Sequence, residues 1–264
     1  MPLSLRTFET ASEASAALAS GSARYLGGGT LAVRDANEGD LSFDTLVRVV
    51  DPAMSRVDVS GGTIRLGASV TMSVILRHPD LASIAPAARG IGGPAVRNMA
   101  TVGGNLFAPT PYGDFTVALL ALGATVVADG RSMQLDEFLR VRTEFQGIVS
   151  AVEFALPAAG TFRFAKISRV KPKGVSVLSI AAHIEADAGG TITAARVALG
   201  CMADRPIRAG KAEAALVGAR LTQDGVAPAV AAVSHDIRPP TDPIASEWYR
   251  REVLPVHFRR LLLS

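Results

Sequence analysis

The 264-residue chain is 48% hydrophobic and 19% charged, enough apolar material for a sizeable core in one or two domains, which excludes a disordered protein. Its apolar runs, such as Phe115 to Ala128, contain Gly or Thr and stop short of the roughly 20 residues that cross a bilayer, so no transmembrane helix is expected. The net charge of +3 and the single cysteine, Cys201, argue against nucleic acid as a partner and exclude an internal disulfide or a multi-cysteine cluster.

Met1 to Arg6 lacks a basic leader followed by an apolar core, which predicts a cytoplasmic setting. Thr10-x-x-Glu13 is a capping box before an Ala/Leu-rich run, predicting a helix that ends near Ala19. A strand, Ala23 to Leu26, should run into Gly27-Gly28-Gly29-Thr30, and a second, Thr45 to Val50, should end at Asp51-Pro52. Val57 and Val59, Gly61-Gly62, then Ile64 and Leu66 read as a hairpin. Thr71 to Arg77 and Leu81 to Gly90 are helical candidates separated by Pro79. A glycine-rich segment from Gly92 to Asn105 follows. Asp114 is expected to cap a helix running to Leu122, before a strand from Thr125 to Ala128 and a turn at Asp129-Gly130.

Gly147 to Phe154 reads as a strand, and Leu156 to Gly160 as the best candidate for a domain boundary. Beyond it, Thr161 to Ser168, Val175 to Asp187 and Thr191 to Leu199 predict an antiparallel meander. Helices over Pro206 to Val217, Val226 to Val233 and Ile244 to the end complete the chain. Arg250, Arg251, Arg259 and Arg260 form the one dense basic group, expected on the solvated or partner-facing side of the last helix.

Neither glycine loop fits the G-x-G-x-x-G pattern, which disfavours a Rossmann dinucleotide site. Consecutive glycines can instead turn successive N–H groups inward as an anion nest, with a diphosphate as natural guest. Thr30 and Thr101 each place a hydroxyl beside such a loop. His78, His183, His235 and His257 are too scattered for a helix-borne metal pair; His183 is expected as a surface or half-buried side chain and Cys201 as a small buried hydrophobe. No Gly-x-Ser-x-Gly elbow supports hydrolysis. Arg97 and Asn98 could touch a cofactor or stitch their loop to nearby carbonyls.

Arg97 to Asn105, together with Gly113-Asp114 to Leu122-Gly123-Ala124, resembles the second FAD-binding motif of the medium subunit of carbon monoxide dehydrogenase and xanthine dehydrogenase-type molybdenum hydroxylases. Gly27-Gly28-Gly29-Thr30 is similar to the first. Lys166-Ile167-Ser168-Arg169 resembles the opening of that family's second domain, and Ser246 to Arg251 its terminal helix. The resemblance implies an α+β fold: a two-lobed FAD-binding domain of the PCMH type over residues 1–160, then a C-terminal domain of antiparallel sheet plus helices over 161–264, with FAD between them. It further implies that the loops Gly27, Gly28, Gly29, Thr30 with Leu31, and Thr101, Val102, Gly103, Gly104, Asn105, enclose the FAD pyrophosphate. Asp114 would contact a sugar-like part of FAD, the backbone of Val149 would meet the flavin region, and Lys166 would correspond to the family's lysine.

The implied activity is that of an oxidoreductase subunit. It would take electrons from [2Fe–2S] clusters on a small partner subunit and pass them to NAD, oxygen or a quinone. An aldehyde or N-heterocycle is hydroxylated, or CO oxidised, at a molybdopterin-binding large subunit, in a heterotrimer or a dimer of heterotrimers. Three departures stand out. Leu31 offers no side-chain donor where the family often has a polar residue, Lys171 to Val175 contains no aromatic to stack near the isoalloxazine, and no cysteine-rich insertion is present. The alternatives are a self-contained FAD reductase or oxidase of the same flavin-binding fold, which would need a proton donor that residues 161–264 do not offer, and a scaffold that has lost the flavin.

Overall fold

The computed structural model describes residues 3–19, 21–170 and 174–264. Met1 and Pro2 of the segment read for a leader, and Lys171 to Lys173 of the turn without an aromatic, lie outside the described residues.

The first lobe is a three-stranded parallel sheet. β1 (Ser4–Phe8) and β2 (Ala23–Tyr25) flank β3 (Thr45–Val49), with α1 (Ala11–Ala19) and α2 (Ala32–Asn37) in the connections. The Thr10 half of the capping box forms: Thr10 Oγ1 accepts from the Glu13 N–H at 3.3 Å, and its hydroxyl, in place of its backbone N–H, donates to Glu13 Oε2 at 2.8 Å. Ala14, Ala17 and Leu18, at helical spacing, face the core. Neither β1 nor α2 is expected from the sequence.

The second lobe holds a five-stranded antiparallel sheet in the order β4-β5-β8-β6-β7, from β4 (Val57–Ser60), β5 (Thr63–Gly67), β6 (Thr125–Ala128), β7 (Arg131–Gln134) and β8 (Val149–Ala155). The expected hairpin turns at Gly61 and Gly62, both with positive φ. Helices α3 (Met72–Arg77), α4 (Ala85–Arg89), α5 (Pro94–Met99), α6 (Val102–Leu106) and α7 (Asp114–Ala121) separate β5 from β6, and α8 (Leu135–Val141) follows β7. The helix expected from Leu81 starts only at Ala85, because Pro79 to Leu81 winds into a 3-10 turn. The second glycine segment is a pair of short helices and not an open loop. The cap expected of Asp114 belongs to Gly113, which adopts φ 91°.

Strands β9 (Phe162–Ser168), β10 (Ser176–Ala186), β11 (Ile192–Gly200) and β12 (Ile207–Arg208) form the predicted antiparallel meander, in the order β12-β11-β10-β9. Helices α9 (Gly210–Leu216), α10 (Ala227–Ala232) and α11 (Glu247–Leu262) complete the fold; α9 starts later than expected because Ile207 and Arg208 are spent on β12. Side chains of a strand alternate between its faces. Leu178, Ile180, Ala182 and Ile184 accordingly share a core with α9 to α11, while Ala181 and Ala198 join the core of the second lobe. The helix between these layers is α7, whose eight residues are all buried and which packs on β10 and β11. Gly200 permits this approach, since a Cβ there would lie 2.3 Å from Ser179 Oγ and 2.8 Å from a Val117 methyl.

Arg250 corrects the reading of the basic group. It is wholly buried: its Nε donates to the Val177 carbonyl at 3.0 Å, Nη1 to the carbonyls of Pro240 and Ala245, and Nη2 to both oxygens of Asp242 at 2.9 and 3.0 Å. Among the described residues no helix is long and apolar enough to cross a membrane.

Candidate functional site

A cleft of about 740 Å³ opens between the two lobes and the C-terminal sheet. The first lobe contributes Gly27, Gly28, Gly29, Thr30 and Leu31 to its wall, and the second contributes Thr101, Gly104, Asn105 and Asp114. Lys166 and Ser176 come from β9 and β10.

The two glycine loops touch. A Cβ on Gly28 would sit 1.7 Å from the Met99 carbonyl oxygen, and one on Gly27 would sit 3.0 Å from Thr101 Oγ1, so only bare backbone fits at the first. Thr101 caps α6 by accepting from the Gly104 N–H at 3.0 Å, a bond that does not use its own hydroxyl proton. Asn105 is buried and turns its amide back to the Thr101 carbonyl at 3.2 Å. At the start of α2, Leu31 occupies the cap position without a side-chain hydrogen bond.

Asp114, in the first turn of α7, is almost wholly buried. Lys166 Nζ lies 2.9 Å from its Oδ2 and donates to the Gly90 carbonyl at 2.7 Å. The Ser176 hydroxyl lies 2.7 and 2.8 Å from the two carboxylate oxygens. Two strands, β9 and β10, thus converge on one carboxylate of α7. Cys201 sits close by, with Sγ 3.5 Å from the Ser176 carbonyl. Burial, with the Asp114 charge adding to it, pushes its thiol well above the ordinary range, so it behaves as the expected buried hydrophobe.

Of the thirteen residues singled out in the sequence, three do not line the cleft. Val102 is fully buried, Gly103 turns its Cα towards Ala68, and Val149 is in β8 with its side chain in the core. Arg97 stitches its own loop: Nη1 donates to the Gly92 carbonyl at 2.6 Å and to Ile91 at 3.2 Å, while Asn98 Oδ1 accepts from Ser73 at 2.5 Å. His183 is more buried than expected, 9% exposed on β10.

Other cleft residues went unnoticed in the sequence. Arg34 on α2 donates to the Tyr112 hydroxyl at 3.1 Å. Arg142, 7% exposed, donates to the Leu106 carbonyl at 2.8 Å, and burial lowers its guanidinium pKa against the opposing charge of Asp204. Phe107 and Phe145 stack with centroids 6.3 Å apart. The sequence carried a weak signal for these: an Arg one turn beyond a glycine loop, and aromatics beside short, unassigned helices.

The donor set suits a dinucleotide diphosphate. Side-chain-free backbone, a hydroxyl with a spare proton and the cations Arg142 and Lys166 line one cleft, and the Asp114 carboxylate among them is paired. Residues 4–155 match the family described as FAD binding domain in molybdopterin dehydrogenase. The chain belongs to this family. Residues 163–264 match the CO dehydrogenase flavoprotein C-terminal domain. The chain is therefore an FAD-binding medium subunit of the molybdenum hydroxylases, an oxidoreductase component. It is 30% identical over 215 residues to the glyceraldehyde dehydrogenase medium chain of Sulfolobus acidocaldarius, covering 77% of this chain and 76% of the relative. With the nicotinate dehydrogenase FAD-subunit of Eubacterium barkeri it shares 29% identity over 224 residues, 79% of this chain and 76% of the other. The fold is that of a chain in carbon monoxide dehydrogenase from Hydrogenophaga pseudoflava, with a TM-score of 0.91 at 23% identity over 99% of this chain and 96% of that one.

Proposed function

We propose that this subunit holds FAD non-covalently in the cleft and relays electrons within a molybdenum hydroxylase complex. The carrying observation is the convergence of both glycine loops, Asp114 and Lys166 on one cleft. Backbone N–H groups of Gly27 to Thr30, with the hydroxyls of Thr30 and Thr101, would donate to the diphosphate oxygens, and Gly104, whose own N–H is taken by Thr101, would let the backbone of α6 come close. The paired Asp114 orients a sugar-like hydroxyl group, and Lys166 fixes that carboxylate from the C-terminal side. Gly103 and Val102 act from behind, by seating α6 against the core, and Val149 by its place in β8.

Bound FAD supplies an acceptor for one or two electrons. With one cysteine the chain cannot itself ligate a [2Fe–2S] cluster. It therefore receives electrons from clusters on a small partner subunit and delivers them to NAD, oxygen or a quinone. An aldehyde or N-heterocycle is hydroxylated, or CO oxidised, at the molybdopterin of a large subunit. The assembly is a heterotrimer or a dimer of heterotrimers in the cytoplasm. The division at residues 160 and 161 separates the FAD-binding domain from the domain that presents Lys166.

Anaerobic addition of substrate to the isolated yellow chain should leave the flavin absorbance near about 450 nm unchanged, and adding both partner subunits should bleach it. Bleaching by the chain alone would overturn the relay and favour a self-contained flavoenzyme.

A further inference from the structure

The lobes meet across the cleft through two side chains that no part of the family reading uses. Arg34 lies on α2, the helix that follows the first glycine loop, and Tyr112 lies on the segment joining α6, which carries the second loop, to α7. They are 78 residues apart in sequence. Arg34 Nη1 donates to Tyr112 Oη at 3.1 Å, and its guanidinium carbon stands 5.3 Å from the ring centroid. Asp35 grips the same guanidinium through Nη2 at 2.9 Å and Nε at 3.3 Å, so Nη1 is the group turned to the opposite lobe. Both residues line the cleft, and Tyr112 is 38% exposed at its edge.

We propose that Arg34 and Tyr112 form a strap across the cleft mouth that sets how fast the dinucleotide enters and leaves. This rests on the reading of the cleft as the FAD site. A single charge-assisted hydrogen bond with a cation–π contact, exposed on one side, opens by rotation of two side chains and leaves the core undisturbed. A strap of this kind closes over the empty and the filled cleft alike, so it slows exchange in both directions without setting affinity.

The full chain, stripped of flavin and reloaded, provides the test, with flavin fluorescence following uptake and release. Tyr112→Phe and Arg34→Gln should each accelerate uptake and release together by about three- to tenfold, with Kd shifted less than about twofold. The double variant should be no faster than the faster single one, because one contact is removed either way. Unchanged rates, additive acceleration in the double variant, or faster release with unchanged uptake would each overturn the strap; the last would make Arg34 an ordinary phosphate ligand. A wild-type chain that takes up no FAD would overturn the FAD reading itself.

Discussion

Lys166 Nζ stands 2.9 Å from Asp114 Oδ2, joining β9 of the C-terminal sheet to the first turn of α7 inside the cleft wall. Both side chains are largely shielded from water, 13% and 6% exposed. Removing one member of such a pair strands the other charge. Lys166→Met should therefore destabilise the folded chain by about 3 kcal/mol and weaken FAD retention. Adding Asp114→Asn should recover part of the stability but not the FAD. Thermal unfolding with and without FAD checks both statements; full recovery of both in the double variant would refute the role in binding.

Gly28 and Gly103 separate two kinds of glycine in the same site. Gly28→Ala drives a methyl into the Met99 carbonyl, 1.7 Å from its oxygen, and must part the loops, so FAD content should fall at least about tenfold. Gly103→Ala meets Ala68 Cβ at 2.9 Å on the far side of α6. It should cost about 1–3 kcal/mol of stability while the folded fraction keeps its FAD affinity. Flavin-to-protein ratios of the purified variants, with urea unfolding, distinguish the two.

Arg250 is a structural cation and not part of a surface patch. Arg250→Met removes the guanidinium that Asp242 and the carbonyls of Val177, Pro240 and Ala245 share and should destabilise by about 3–5 kcal/mol. Arg251→Met, which loses an exposed pair with Glu247 at 2.9 Å, should cost less than about 1 kcal/mol. Chemical denaturation of both variants gives the comparison.

Burial holds the His183 imidazole below its ordinary pKa of 6.5, with Glu185 opposing and Arg196 adding to the shift. The folded state thus prefers the neutral ring. Its contribution to stability is complete above the unfolded pKa of 6.5 and is lost as pH falls through the lower folded value, where the unfolded chain binds the extra proton. His183→Gln should flatten that part of the stability–pH curve relative to wild type; parallel curves from pH about 7 down to about 5 would rule it out.

Where a local rule decided the matter, the sequence was read correctly. The Thr10 cap and the Gly61-Gly62 hairpin depend on neighbours within a few residues, and the meander of β9 to β11 on strands adjacent in sequence. The strand β1 was missed because its burial pattern is nearly all exposed, leaving no alternation to detect. Asp is a common helix cap, which is all that local sequence says of Asp114; its carboxylate is claimed by Lys166 and Ser176, 52 and 62 residues away. Arg250 reads as a solvated or partner-facing charge in sequence because its partners come from a different strand and a preceding loop. Local spacing placed the glycine loops, yet only the fold shows that Gly103 faces Ala68 and that the Val149 side chain is spent on the core.

Ala181 and Ala198, on β10 and β11, are fully buried within the hydrophobic cluster of the second lobe, so the polypeptide crosses its proposed division without a break in close packing. Each half keeps a core of its own, and the two are joined where α7 packs on β10 and β11. Protease nicking between Leu156 and Gly160 should therefore yield two fragments that remain in one particle and melt together, and the amides of β10 and α7 should exchange with solvent at a common rate.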